Sequence, residues 1–258
     1  MTSADSAKLA VQFSLCQGSL DLDVRFALAQ PWTVLFGPSG SGKTTVLRAV
    51  AGFLRPPAGR IVAFDEKVLL DGATKVFVPP YLRPVRSAAQ GARLFPHMTV
   101  RRNVLLGTHL HSKPADTAEL VDEVLGLFEL RAMRDRMPAE LSGGEAQKAA
   151  VARAVASAAI GLERNVLLLD EPFNGLDLRV RDELLIRLRD WLAVWKIPVL
   201  SVTHDVAEAF QLGAEVIKLA EGRVVAQGPV EVVLAEERAR LLAQLNGAGL
   251  KEMRGNPA

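Results

Sequence analysis

The segment GPSGSGKT, Gly37 to Thr44, sets three glycines before a lysine and a hydroxyl at the G-x-x-x-x-G-K-[ST] spacing of a phosphate-binding loop. Gly37, Gly40 and Gly42 keep side chains away from a path along which backbone N–H groups can wrap an anion, and the helix starting near Lys43 adds its positive end. The stretch Gly37, Pro38, Ser39, Gly40, Ser41, Gly42, Lys43, Thr44 and Thr45 is therefore the expected nucleotide cradle. Lys43 would reach the β- and γ-phosphates, and the Thr44 hydroxyl would ligate magnesium. A second acidic pair, Asp170-Glu171, closes the apolar run Val166 to Leu169. Asp170 is the expected metal ligand, and Glu171, one residue on and pointing elsewhere, suits a base that polarises an attacking water. A flexible Gly/Ser linker, or solvated acids at a strand end, would share these compositions but not these flanks.

Those flanks are legible. Leu9, Val11, Phe13 and Leu15 alternate, and after Gln17, Gly18 and Ser19 the alternation resumes at Leu20, Leu22, Val24, Phe26 and Leu28, which predicts an antiparallel hairpin. Thr33 to Phe36 is an unbroken buried strand running into the glycine loop, and a helix from Thr44 should stop at Gly52. Short strands are expected at Ile61 to Phe64, Val68 to Leu70 and Val76 to Val78. Roughly residues 90 to 160 read as helical: Asp116 with Glu119 resembles a capping box, and Leu120, Val124, Leu127 and Phe128 keep helical spacing. Val166 to Leu169 and Val199 to Thr203 are parallel-type strands separated by a helix whose face carries Val180, Leu184, Leu188, Trp191 and Trp195. A hairpin turning at Glu221-Gly222, helix over 229 to 245 and a frayed tail from Asn246 complete the reading.

Composition narrows the class of function. No apolar run reaches the ~18 residues that span a bilayer. Thirty-one basic against 29 acidic residues do not give the one-sided excess typical of a nucleic-acid binder, and three tryptophans and ten phenylalanines are dispersed as packing residues are. One cysteine, Cys16, cannot form an internal disulfide and reads as a small buried apolar residue. The opening MTSADSAK lacks the basic-then-apolar pattern of a secretory signal, so a reducing, cytoplasmic location is expected.

LSGGE, Leu141 to Glu145, followed by Ala146, Gln147 and Lys148, closely resembles the signature motif of ABC ATPases, and it lies between the two phosphate-site motifs as it does in that family. Gln90 as the Q-loop glutamine, NGLD at Asn174 to Asp177 as the D-loop, His204 as the switch histidine and Phe13 as an A-loop aromatic follow in the family's order. The resemblance implies ATP and Mg2+ as cofactors. It implies a head-to-tail dimer in which Ser142, Gly143, Gly144 and Glu145, with Asp177, face the nucleotide of the other copy. Gln90 would sense magnesium and the attacking water, His204 would contact the γ-phosphate, and Leu94 to Met98 would help to grip a permease. Phe13 would stack on adenine, although it equally fits the inward face of its strand. Glu145 for the usual glutamine, Lys148 for arginine, Asn174-Gly175 for Ser-Ala and the polar Arg86 to Ala89 depart from the family's pattern.

The implied fold is α/β: a P-loop NTPase (RecA-like) core with an N-terminal antiparallel β-subdomain and an inserted α-helical signature subdomain. Residues 1–89 and 162–245 would form the core and β-subdomain, 90–161 the helical subdomain and 246–258 a tail. ARLFPHMTVRRNV, Ala92 to Val104, looks like the ATPase of molybdate importers, whose usual C-terminal oxyanion-binding domain would not fit before Ala258. The expected function is ATP hydrolysis driving solute import, with sulfate, iron and polyamine importers, and soluble ABC ATPases, as alternatives. Expected partners are a second copy, integral permease subunits and, indirectly, a solute-binding protein, with no nucleic acid. The expected place is the inner face of the cell membrane.

Overall fold

A computed structural model describes residues 7–18, 20–64, 67–106, 108, 114–160 and 164–252, with side chains except at 114–116 and 245–252. Strands β1 (Leu9–Gln17) and β2 (Leu20–Leu28) form the expected hairpin, with Phe13 opposite Val24. The fully buried β3 (Trp32–Phe36) leads through the glycine loop into α1 (Lys43–Ala51), which Gly52 ends in the left-handed conformation. Then come β4 (Ala58–Ala63), β5 (Lys67–Asp71), β6 (Val76–Phe77) and β7 (Val85–Ala88). Three helices follow, α2 (Val100–Leu106), α3 (Pro114–Leu127) and α4 (Gly143–Ala159). The chain continues through β8 (Val166–Asp170), α5 (Leu178–Val194), β9 (Val199–Thr203), α6 (Val206–Leu212), β10 (Glu215–Ala220), β11 (Arg223–Pro229), α7 (Val230–Val233) and α8 (Ala235–Glu252).

Among the described residues, eleven strands join one sheet in the order β6-β5-β4-β1-β2-β11-β10-β3-β9-β8-β7. Strands β10, β3, β9, β8 and β7 are parallel to one another, whereas β6 to β2 run antiparallel. The antiparallel region is thus fused to the parallel core. The joint is narrow: Arg223 pairs with Asp23, Asp23 N donates to Gly222 O at 2.9 Å, and a Cβ on Gly222 would lie 1.9 Å from Asp21 O.

Strand alternation divides the core into two layers. Val34 and Phe36 of β3, with Leu167 and Leu169 of β8, pack against α3, α4 and α5. Leu35, Leu168, Leu200 and Val202 face α1 and the apolar side of the antiparallel strands. Both faces are covered at the centre of the sheet, which is why β3, β8 and β9 are buried along their whole length.

Four expectations change. The polar stretch Arg86 to Ala88 is strand after all, because β7 is the edge of the sheet: Ala88 pairs with Leu169, and Arg86 Nη1 donates to the carbonyls of Arg83 and Val85. Cys16 is exposed, since it falls on the outward side of β1, and its Sγ donates to Asp21 Oδ1 at 3.1 Å. Helix α3 already begins at Pro114, so Asp116 lies inside its first turn; the Asp116 side chain is outside the described residues. The backbone of α8 stays helical past Asn246 to Glu252, and residues 253–258 lie outside the described chain.

Arg83 is 1% exposed and has carbonyl rather than carboxylate partners. Its Nη1 donates to Ala49 O and Val50 O at 2.9 and 2.7 Å, capping the end of α1, while Nε and Nη2 reach Val78 O and Leu69 O. Burial pushes its pKa down to about 10. Replacing Arg83 by Met removes a donor from Val50 O and Val78 O, whereas Ala49 O and Leu69 O still accept from Gly52 N and Val78 N; a buried acceptor left without a donor costs about 1–3 kcal/mol. Urea unfolding is expected to show a loss of about 2–4 kcal/mol with an unchanged m value.

Candidate active site

The carboxyl ends of β3, β8 and β9 place the expected chemistry at one edge of the sheet, the position at which open α/β sheets bind ligands. Gly42 precedes α1 at φ 101°, and a Cβ there would lie 2.5 Å from Leu22 Cδ2; one on Gly37 would lie 2.2 Å from Leu219 O. Packing against β2 and β10 therefore requires these glycines before any phosphate does. Pro38, Ser39 and Gly40 form an exposed rim, and Thr45 is half-buried behind them.

Lys43 is 7% exposed, and its Nζ donates to Gly37 O and Pro38 O, both at 2.8 Å. Burial lowers its pKa, opposed by Glu171 and Asp170. Thr44 Oγ1 donates to Asp170 Oδ1 at 3.3 Å. Asp170 is 5% exposed, and burial raises its pKa, with Glu171 adding to that effect and Thr44 and Lys43 opposing it.

These residues fit the cofactors that the sequence implies. Ser41 Oγ is buried at the base of the loop with no hydrogen-bond partner among the described residues, a polar atom suited to a phosphate oxygen. Thr44 Oγ1 and Asp170 Oδ1 are two adjacent hard oxygen donors. Magnesium takes few protein ligands, keeping waters and substrate phosphates for the rest. Gln90 lines the same cleft as Thr44 and Asp170, a space of about 630 Å3.

Glu171 is where separate segments meet. It adopts φ 47°, a left-handed conformation that a non-glycine residue holds only when its surroundings impose it. Its N–H donates to Val202 O of β9 at 3.1 Å. The carboxylate accepts from Gln90 Nε2 at 3.2 Å and Asn174 Nδ2 at 2.6 Å on Oε2, and Oε1 lies 3.1 Å from His204 Nδ1. Gln90 and His204 were legible from order along the chain. Asn174 was visible only as a departure from the D-loop pattern, although a polar residue three positions after the base could have signalled it.

Ser142 caps α4: its Oγ accepts from Glu145 N at 3.3 Å while Glu145 Oε2 accepts from Ser142 N at 2.7 Å. The Glu145 carboxylate is thereby engaged by its own helix, and that bond holds its pKa down. Of this segment, Gly143 is the open position, since a Cβ there would meet nothing within 4 Å. Asp177 likewise caps α5, accepting from Arg179 N and Val180 N. Glu145 and Asp177, expected to face nucleotide, have their carboxylates turned to backbone N–H groups of this chain. Gln147, quoted without a role from the sequence, is buried and donates to Pro172 O at 3.0 Å, tying α4 to the residue after Glu171.

Phe13 does not serve as an adenine platform. It is 1% exposed, on the inward side of β1 among Val24, Ile61 and Leu22, so its ring faces the core and offers no face to a ligand.

The sequence profile of the ABC transporter family matches residues 23–174, more than half of the chain. The chain belongs to that family. Curated ABC relatives include the Molybdenum import ATP-binding protein ModC of Rhodospirillum rubrum, 41% identical over 85% of this chain and 57% of that protein. Spermidine/putrescine import ATP-binding protein PotA 1 of Pseudomonas aeruginosa is 37% identical over 88% of this chain and 59% of its own length. The chain thus spans less than two thirds of these relatives. Its fold matches the dimeric structure of a post-hydrolysis state of an ATP-binding cassette bound to ADP and Pi, with TM-score 0.70, 23% identity and coverage of 86% of this chain and 98% of that one.

Two substitutions separate the loop from the core residue. Lys43→Ala removes a charge-assisted phosphate contact and is expected to weaken ATP binding about tenfold to hundredfold in equilibrium titration. Phe13→Leu, which leaves the loop untouched, should keep the ATP Kd within about twofold while lowering the melting temperature, because its cost is one of packing.

Proposed function

We propose that this ABC chain binds Mg-ATP and hydrolyses it to drive solute import through a membrane permease. The observation that carries the reading is the convergence of Gln90, Asn174 and His204 on Glu171, beside the Lys43 loop and the Thr44–Asp170 pair. Magnesium, when bound at Thr44 and Asp170, would neutralise charge developing on the phosphates. Glu171 takes the proton of the attacking water, Gln90 and His204 fix the orientation of its carboxylate, and Lys43 holds the phosphates in line.

A second copy completes the site in this reading. The N-terminus of α4, with Gly143 open, presents N–H donors suited to the phosphate of a nucleotide held by the other copy's loop. The permease reading is supported by the 630 Å3 cleft beside Gln90, lined by Arg48, Phe53, Arg93 and Arg153. Phe53 and Tyr81 are 62% and 81% exposed, and Phe95, in the LFPHM segment, is 41% exposed, as suits a surface covered by a partner. No described helix is long and apolar enough to cross a membrane; the placement as a peripheral subunit on the cytoplasmic face rests on the likeness to import ATP-binding proteins. Molybdate or a related oxyanion is the solute we favour, because several of the curated relatives are molybdenum import proteins; a polyamine is the second reading, favoured by the spermidine/putrescine import relative.

Glu171→Gln should retain ATP binding and slow turnover by about a hundredfold or more, trapping an ATP-bound dimer visible by gel filtration. Unchanged hydrolysis would remove Glu171 from this role. The tagged chain, extracted from membranes of its host in mild detergent, should bring down a multi-span permease; reconstituted with it, uptake of molybdate in preference to putrescine is expected. Preference for putrescine would select the polyamine reading, and soluble partners alone would end the transport reading.

A further inference from the structure

Glu208, in the first turn of α6, is 6% exposed, and neither the phosphate loop nor the metal pair uses it. Its Oε2 accepts from Thr203 Oγ1 at 3.2 Å, and Thr203 Oγ1 in turn accepts from Asp205 N at 3.0 Å. These two bonds grip the chain on both sides of His204. Asp205 Oδ1 accepts from Ala207 N and Glu208 N, and Asp205 Oδ2 pairs with Arg181 Nη1 at 2.7 Å, so the same turn is tied to α6 and to α5.

Glu208 Oε1 is buried and has no partner among the described residues. Glu208 lines a cavity of about 50 Å3 together with Glu171, Asn174, Arg181, Thr203 and His204, a polar space large enough for an ordered water. Burial pushes its carboxyl up to about 7; Arg181, Thr203 and His204 act against that shift, and Asp205 adds to it. A leucine could fill the space without the cost of burying a carboxyl, so helix packing alone gives no reason for one here.

We propose that Glu208 is a positioning residue for hydrolysis: through Thr203 it fixes the turn that presents His204 to Glu171, and its second oxygen binds a water in the cavity these side chains share. The role rests on the hydrolytic reading above. It adds that the switch histidine is held from behind by a buried carboxyl and acts together with it.

The test compares wild type, Glu208→Gln, Glu208→Leu and Thr203→Val, each also in a His204→Ala background, using the full chain with the membrane subunits that purify with it. ATP turnover, single-turnover phosphate release, binding of a fluorescent ATP analogue and thermal melting are measured. Glu208→Leu is expected to lose about tenfold in kcat with analogue affinity within about twofold, and Glu208→Gln, which keeps an acceptor for Thr203, to stay within about threefold of wild type. In the His204→Ala background Glu208→Leu should cost less than about twofold, because residues that act through one another are not additive. Thr203→Val, which deletes the hydroxyl link alone, should reproduce the kcat loss, and it decides the matter if Glu208→Leu fails to fold. An equal loss in both backgrounds, or an unchanged kcat in Thr203→Val, overturns the positioning role. A wild-type chain that hydrolyses no ATP overturns the hydrolytic reading and the positioning role together; normal hydrolysis with additive variants overturns only the latter.

Discussion

The Glu171 carboxylate sits at the end of a buried parallel strand, on a residue forced to φ 47°. A left-handed non-glycine residue costs on the order of 1–3 kcal/mol, and an isolated carboxylate at a sheet edge does nothing to offset it. The offset comes from elsewhere: a backbone bond to Val202, side-chain donors from Gln90 and Asn174, and the ring of His204. Hydrogen bonds to a charged group contribute about 1.5–3 kcal/mol each, enough to hold the strained residue. Each donor belongs to a different part of the chain, so the site exists only when β7, β8 and β9 are in register and the turn after Glu171 has formed. Register is set in turn by the two-sided apolar core, because a slip of one residue would send Leu167 and Leu169 to the wrong layer.

The nucleotide loop shows the same dependence on remote backbone. Gly37 and Gly42 are hemmed in by Leu219 and Leu22, residues of strands that join the parallel and antiparallel halves of the sheet. The opposite end of α1 is held by Arg83, which binds helix carbonyls together with backbone from the strand region before β7. Loop and helix are therefore clamped at both ends by the extended sheet. A cradle preorganised in this way avoids ordering a glycine-rich segment at the moment of binding, which would otherwise consume part of the binding energy.

Charges near the signature and D-loop segments illustrate how a helix end competes for a carboxylate. Ser142 with Glu145, and Asp177 alone, satisfy N–H groups that α4 and α5 cannot pair internally. Glu145, where the family usually has glutamine, brings a carboxylate to the positive end of α4, and the hydrogen bond from Ser142 N–H holds its pKa down. The α4 terminus is thus partly neutralised by its own side chain, which distinguishes it from the terminus of α1, whose first turn has no acidic residue. Gln147 carries the consequence inward, since its bond to Pro172 O couples the pitch of α4 to the segment that bears Glu171.

Local rules made much of this protein legible in the sequence. Period-two alternation located the hairpin, the glycine loop and its flanks located the phosphate site, and continuous apolar runs located the parallel strands, because each signal depends on neighbours a few residues apart. Ordered motifs brought Gln90, Glu171 and His204 onto one candidate list. What alternation could not decide was which side of the hairpin would meet a ligand: Phe13 proved to be core and Cys16 surface, an outcome set by what packs across the sheet. Polar Arg86 and Ser87 concealed an edge strand because an edge needs fewer apolar residues than a centre. The clamp of Arg83 on α1 and the burial of Glu208 behind His204 link residues through space. No spacing in the sequence encodes such contacts, so only the tertiary structure decided them.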